Sequence, residues 1–442
     1  MKKTLLLVFV CAVLFAVAIL YTACSDDNLS IVQRSIDLHR DSLSAETWLE
    51  VEKNENVKIC FDSKVRTWET SLDTKILNDS CLKVQVPTLI GVSPIMVKFS
   101  DSDSSHKINL VVGMKYLDFK NEEVLLGYNK ELMLGPGLYD VIDPVKNVSV
   151  TGSYIVDKYP VTNCEFLQLM WDEIPSISLF DNAQNSQEIK QGWIYRKKRN
   201  TRNNICNVYD SATNTISLYQ AMKYANARST CEKIKPYYIF SDTRDKFVRI
   251  NPEGRYVIGL RDFSEQKNKT IYVMIDTTSD GYRLPYYDEW MMFARAGDKT
   301  NNAPWGDSAT YKDVLKYAQF DEPKDYYVEK DPYESGPVGQ LKPNKYDLYD
   351  IFGLVEEHVL FEQPHRFKRS PGIKYELKRL PKGKPICVND CPSSLKGGRK
   401  DENWTNVDYG FLRLNDNGFA IGGFRLIRNI GNNAKWTEVK SK

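Results

Sequence analysis

The sequence predicts an α+β fold with much irregular loop, preceded by a small all-β sandwich domain. Three observations carry this. Short runs of period-two alternation crowd the stretch from Trp48 to Leu117, as in Val57-Lys58-Ile59-Cys60-Phe61 and Ile95-Met96-Val97-Lys98-Phe99. From Met114 to Arg428, strand and helix patterns alternate irregularly with long loops rich in Gly, Pro, Asn and Asp, where function commonly sits. The chain has 442 residues, 42% of them hydrophobic, enough to bury a substantial core in two domains or more.

The N-terminus reads as a leader. Lys2 and Lys3 precede an apolar run from Leu5 to Leu20, and Ala23 then precedes Cys24, the order of a secretory signal. A cysteine after small residues resembles a bacterial lipoprotein cleavage site, which makes Cys24 the lipidated residue and 1–23 the signal peptide. An uncleaved signal anchor is the alternative, because the run is nearly long enough to span a bilayer. Both place the body outside the cytoplasm, lipid-anchored at the bacterial outer membrane or cell surface in the first case. The acidic start Ser25-Asp26-Asp27 resembles a surface-export signal of some lipoproteins. Residues 24–45 are polar and read as a tether.

Residues 46–113 then read as an Ig-like antiparallel β-sandwich, its strands at Trp48–Val51, Val57–Phe61, Leu82–Val86, Ile95–Phe99 and Ile108–Val112. Beyond Cys11 and Cys24 the chain carries seven cysteines, and export permits disulfides among them. Cys60 and Cys81 fall in neighbouring strand runs and are the expected pair. In the larger domain, 114–430, one amphipathic helix starts near Ser217, with Leu218, Ala221, Met222 and Ala225 on one face. Another follows Pro285, with Trp290, Phe293 and Ala294 at helical spacing. Residues 431–442 read as a tail.

Composition narrows the partners. The 60 Lys+Arg against 58 Asp+Glu leave a net charge of +2 with no basic stripe to track phosphates, so nucleic acid is not an expected partner. Aromatics make up 12% of the chain, suited to pinning irregular loops or to a ligand-binding surface.

Read in order, the larger domain resembles the formylglycine-generating enzyme (sulfatase-modifying factor) family. The segments are Tyr154 to Asn163, ending in Val161-Thr162-Asn163; Ser217 with Ala221, Tyr224, Ala225, Asn226, Ala227 and Arg228; and Gly281-Tyr282-Arg283-Leu284-Pro285 with Asp288-Glu289-Trp290. Then come Ala294-Arg295-Ala296-Gly297, Pro304-Trp305-Gly306-Asp307, Pro343-Asn344, Leu348-Tyr349-Asp350, Gly353, Glu357, Gly397-Gly398 and Gly423-Phe424-Arg425-Leu426. The resemblance implies a C-type-lectin-like fold, with these residues acting mainly as scaffold. Pro285 can open a helix, Glu289 suits the positive end of that helix, and Arg283 is placed to pair with a carboxylate. Trp290 and Trp305 can anchor loops.

The family's enzymes oxidise a substrate cysteine to formylglycine with two copper(I)-binding cysteines soon after the Gly-Gly segment, and soft thiolates are what copper(I) requires. Here Arg399 to Trp404 follow Gly397-Gly398, and no cysteine occurs from Pro392 onward. Copper is therefore not an expected cofactor. Cys387 and Cys391 precede the glycines and read as a local disulfide or as cysteines with unrelated partners or, as the alternative, a displaced catalytic pair. The family's calcium segment Gly-Asn-Val-x-Glu-Trp appears as Gly353-Leu354-Val355-Glu356-Glu357-His358, with Gln319 where another Asn is expected, which implies at most one weakened calcium site, at Glu357.

Four histidines, His39, His106, His358 and His365, have no zinc-site spacing, and neither a Gly-x-Ser-x-Gly elbow nor a phosphate loop occurs. The expected function is that of a lipid-anchored envelope protein whose family domain serves binding or assembly without catalysis, with a protein or polysaccharide partner. An active formylglycine-generating oxidase and a carbohydrate-binding surface protein are the alternatives.

Overall fold

A computed structural model describes residues 34–126, 146–171, 211–213, 216–241, 257–262, 269–301, 303–306, 313, 315–318, 336–355, 357–360, 411–412 and 421–439. The chain divides into two units, Met1–Val112 and Gly113–Lys442.

The first unit is a sandwich of two four-stranded sheets. One runs β1 (Arg34–Leu38), β3 (Asn56–Phe61), β6 (Cys81–Gln85), β5 (Thr74–Ile76); the other runs β2 (Glu46–Val51), β8 (Ser105–Val112), β7 (Gly91–Phe99), β4 (Val65–Glu69). The alternation in the sequence turns one face of each strand inward, so Val57, Ile59, Leu82 and Val84 meet Ile95, Val97, Ile108 and Leu110 in one core. Two expectations change here. The sheets are not wholly antiparallel, since β1 pairs with β3 and β2 with β8 in parallel. Period-two alternation reports which face a side chain takes, not strand direction, and β2 and β8 are too far apart in sequence for a hairpin to fix their sense. The tether also ends before residue 45: β1 belongs to the sheet, with Ile36 and Leu38 packed against the core from between polar neighbours. Cys60 and Cys81 face each other across β3 and β6 and are disulfide-bonded.

In the second unit the central strand is β10 (Lys146–Asp157). Along one edge it pairs antiparallel with β9 (Met114–Leu126), with an irregularity at Val150/Thr151. Its other edge is shared by β18 (Ile427–Asn429) beside Tyr154–Val156 and β19 (Lys435–Glu438) beside Val148–Thr151. Residues 431–442 are thus not merely a tail: Trp436 packs against the core, and its indole N–H donates to the Tyr154 hydroxyl at 2.9 Å. Smaller pairings are β11 (Ile216–Ser217) with β17 (Ile421–Gly422), β12 (Tyr238–Ser241) and β13 (Val257–Asp262) on either side of β14 (Lys269–Ile275), and β15 (Glu357–His358) parallel to β16 (Phe411–Leu412).

Three helices complete the described part of this unit. Helix α1 (Asn163–Met170) begins in a capping box: the Thr162 hydroxyl accepts from Glu165 N–H, and the Glu165 carboxylate accepts from Thr162 N–H. Helix α2 (Leu218–Cys231) buries Leu218, Ala221, Met222 and Ala225, the face that the sequence spacing marks. Helix α3 (Tyr287–Arg295) buries Trp290, Phe293 and Ala294 against β10 residues in the main core. Pro285 does not open α3 from inside it. Tyr286 takes the cap position, its N–H bonded to Glu289 at 2.8 Å, while the Pro285 carbonyl accepts from Leu360 N–H. The helix stops where Ala296 and Gly297 turn left-handed, at φ of 49° and 72°.

Candidate functional site

The motif side chains of the second unit converge on three buried arginine–carboxylate pairs that join segments far apart in sequence. The first is Arg425 with Glu357, at 0% and 1% exposure. Arg425 Nε donates to both carboxylate oxygens at 2.9 Å, and Nη2 lies 2.8 Å from Oε1. The rest of the guanidinium reaches three main-chain carbonyls, those of Asp157 (3.2 Å), Lys158 (3.3 Å) and Tyr349 (3.0 Å). Trp290 Nε1 adds a 2.7 Å bond to Glu357 Oε2, so α3, β15 and the segment leading into β18 are pinned at one carboxylate.

The second pair is Arg283 with Glu289, a two-pronged contact at 2.6 and 2.7 Å. The Tyr154 hydroxyl donates to the same carboxylate at 3.3 Å, and the Arg283 guanidinium lies 4.8 Å over the Tyr286 ring. Burial pushes the Tyr154 phenol well above its ordinary range, and the neighbouring Glu289 charge adds to that. The third pair is Arg228 with Asp157, at 2.8 and 3.0 Å, with Leu426 N–H donating to Asp157 at 2.9 Å and the Tyr282 ring 4.1 Å from the guanidinium. Burial raises the Asp157 carboxyl even though Arg228 opposes the shift.

The remaining motif residues are also structural. Asn344 Nδ2 donates to the Phe293 and Ala294 carbonyls at the end of α3, and its Oδ1 accepts from Tyr346 and Leu348 N–H, which ties a loop to a helix terminus. Leu284 is buried. Trp305 stands 4.9 Å from Phe352, beside Gly306 at φ 82°. The Tyr349 ring lies 5.0 Å from Tyr159, and Phe424 packs edge-on against Phe166 and Tyr224. Gly423 leaves no room for a side chain, because a Cβ there would come within 2.5 Å of the Thr213 carbonyl oxygen. Cys24, Cys387, Cys391, Gly397 and Gly398 lie outside the described residues.

The structure places Glu357, the candidate calcium residue, in an ion pair with Arg425. Both carboxylate oxygens accept from the guanidinium, whose positive charge already balances the carboxylate. Leu354 keeps a left-handed backbone, φ 60°, a conformation that suits the family's Asn better than a branched apolar side chain. Its side chain instead joins an apolar cluster with Ala212, Val338 and Val355. Among the described residues there is no group of three or more His, Cys, Asp and Glu side chains able to hold a metal ion.

His358 stands where the family segment has Trp. It is 2% exposed, and its Nε2 lies 2.6 Å from the Ile216 carbonyl, so Nε2 carries the proton and donates. Burial pushes its pKa down to about 4, with the Ile216 bond opposing the shift. The imidazole is therefore neutral near pH 7 and bonded to main chain. The partners of Arg283 and Arg425 were not visible in the sequence. Arg228 did carry a signal, a charge on the apolar stripe of α2, which calls for a buried partner.

Comparison with known proteins places these features in context. A model of the sulfatase-modifying factor enzyme 1-like domain matches residues 112–430. Over 150 residues the chain is 31% identical to a Paenibacillus barcinonensis protein named chaperone protein LppX, covering 32% of this chain and 49% of that one, so the chain spans about half the length of that curated relative. Among solved structures, it is similar to Treponema denticola variable protein 1, with 17% identity, 81% of this chain and 99% of that chain covered, and a TM-score of 0.39. PvdO from Pseudomonas aeruginosa follows with 14% identity, coverages of 72% and 94%, and a TM-score of 0.34.

Proposed function

The chain belongs to the sulfatase-modifying factor enzyme 1-like family, and from that membership we propose an exported, lipid-anchored envelope protein whose family domain works as a binding or assembly module without catalysis. The observation that carries this reading is the conversion of would-be ligand positions into core: Leu354 sits in an apolar cluster, and Glu357 is neutralised by Arg425. The sequence supports it from a second side, because no cysteine follows Gly397-Gly398 where the family's copper(I) pair belongs. The matching relative is named a chaperone protein, which accords with a domain that handles other proteins. The leader and Cys24 support the anchor.

The test is incubation of the chain from Ser25 onward with copper(I), air and a Cys-x-Pro-x-Arg peptide, reading the peptide mass. The expected result is an unchanged thiol from a chain shown to be folded. Conversion of the thiol to an aldehyde, lost on changing Cys387 or Cys391 to Ser, would replace this reading with that of an active oxidase. The anchor is tested separately by palmitate labelling in cells, which should disappear in Cys24→Ser.

A further inference from the structure

The outer face of one sandwich sheet holds an unusual set of charges. In the registers of β3, β6 and β5, Lys58 lies directly opposite Lys83, and Lys83 directly opposite Lys75. Directly opposed residues share a face, and Val57, Ile59, Leu82 and Val84 occupy the inner one, so the three lysines form a row on the outside. With strands about 5 Å apart, the row spans about 10 Å. Lys75 is exposed, Lys58 half-buried, and Lys83 between them 9% exposed. None of the three forms an ion pair or side-chain hydrogen bond among the described residues.

Like charges directly opposite each other destabilise a sheet, yet this register is covalently held. The Cys60–Cys81 disulfide joins the next outward-facing pair along the same two strands and keeps Lys58 against Lys83. Asp37 lies opposite Cys60 on the β1 side of the row. Lysine stems can lie along the sheet while their ammonium groups turn outward.

We infer that this lysine row is a docking surface for an anionic phospholipid membrane, acting beside the lipid anchor. The inference rests on the anchored reading for its choice of occupant. Nine residues lie between Cys24 and Arg34, the first residue of β1, which is the edge strand of this same sheet. Fully extended, that tether reaches at most about 35 Å, so the sheet is confined near the membrane that holds the acyl chains. A lipid chain with a basic patch is a standard pair of weak determinants that together give stable attachment. Each lysine close to an anionic surface strengthens partitioning roughly fivefold, and the attraction is screened by salt.

The chain from Ser25 onward, which lacks the lipidated cysteine and retains every described residue, is sedimented with phosphatidylglycerol vesicles and with phosphatidylcholine vesicles at low and high salt. The expected result is binding to phosphatidylglycerol alone, reversed by salt, weakened roughly fivefold by Lys75→Gln and at least tenfold by Lys58→Gln, Lys75→Gln and Lys83→Gln together. Lys75→Gln changes an exposed side chain and leaves the fold intact, so it keeps the test readable if the triple variant is damaged. Equal binding of wild type and Lys75→Gln, absence of a phosphatidylglycerol preference, or retention on an acidic polysaccharide without vesicle binding overturns the inference. This chain carries no lipid, so vesicle binding stands or falls independently of palmitate labelling at Cys24.

Discussion

Among the described residues of the sandwich the buried polar side chains are Asn56 and Lys83, both on the outward face of their sheet, and Asn109, whereas in the larger unit Asp157, Glu165, Arg228, Arg283, Glu289, Glu357 and Arg425 all lie at 6% exposure or less. The difference follows from what each backbone can do for itself. Sandwich strands satisfy their N–H and C=O groups in ladders, so their interior can be apolar. The described part of the larger unit includes long irregular segments, where carbonyls such as those of Lys158 and Tyr349 need another donor. Arg425 supplies it to both, and its charge then requires Glu357. Irregular backbone and buried charge are in this sense one design feature.

The sharpest way to break that contrast is Glu357→Ala, which leaves Arg425 buried without a counter-charge and Trp290 without its acceptor. It should destabilise the larger unit by about 4 kcal/mol in urea unfolding, and the double variant with Arg425→Met should recover much of the loss. A result near zero for the single variant would mean that the pair is not closed in solution.

Acid probes the same interior. The folded pKa of His358 lies below its ordinary value, so its contribution is complete above about pH 6.5 and is lost as pH falls towards about 4. The expected loss over that window is about 3 kcal/mol. His358→Gln keeps a donor for Ile216 but removes the titration, so its stability should be flatter with pH over the same range. An unchanged slope in the variant would assign the acid sensitivity to other groups.

For the sandwich, the corresponding lever is covalent. Cys60 and Cys81 close a loop with a sequence separation of 21, so replacing both with Ala should lower the stability of this unit by about 3 kcal/mol while leaving the larger unit's transition in place. A shift in both transitions would show that the two units do not unfold separately. The smallest effect is expected at the start of α1, where Thr162→Ala removes one half of the capping box at about 1 kcal/mol.

Legibility in the sequence followed the same division. Every strand run named between Trp48 and Val112 became a strand, because period-two alternation is a local consequence of having one face inside. β1 escaped notice because only Ile36 and Leu38 mark it, and β19 because its four residues are short and polar apart from Trp436. In the larger unit the helices beginning near Ser217 and after Pro285 were legible from spacing, and the ordered motifs gave the family. The partners within the candidate site were not, since Arg425 and Glu357 are 68 residues apart and Arg228 and Asp157 are 71 apart.

By itself the sequence determined the family, the two kinds of domain, the inward faces of strands and helices, and the absence of a cysteine after Gly397-Gly398, all of which are properties of order and short-range period. Only the tertiary structure decided that Glu357 pairs with Arg425, that the C-terminal residues complete the central sheet, and that three lysines stand in one row. Charge pairing and strand register depend on which distant segments the fold brings within a few ångströms, and no local pattern in the chain encodes that distance.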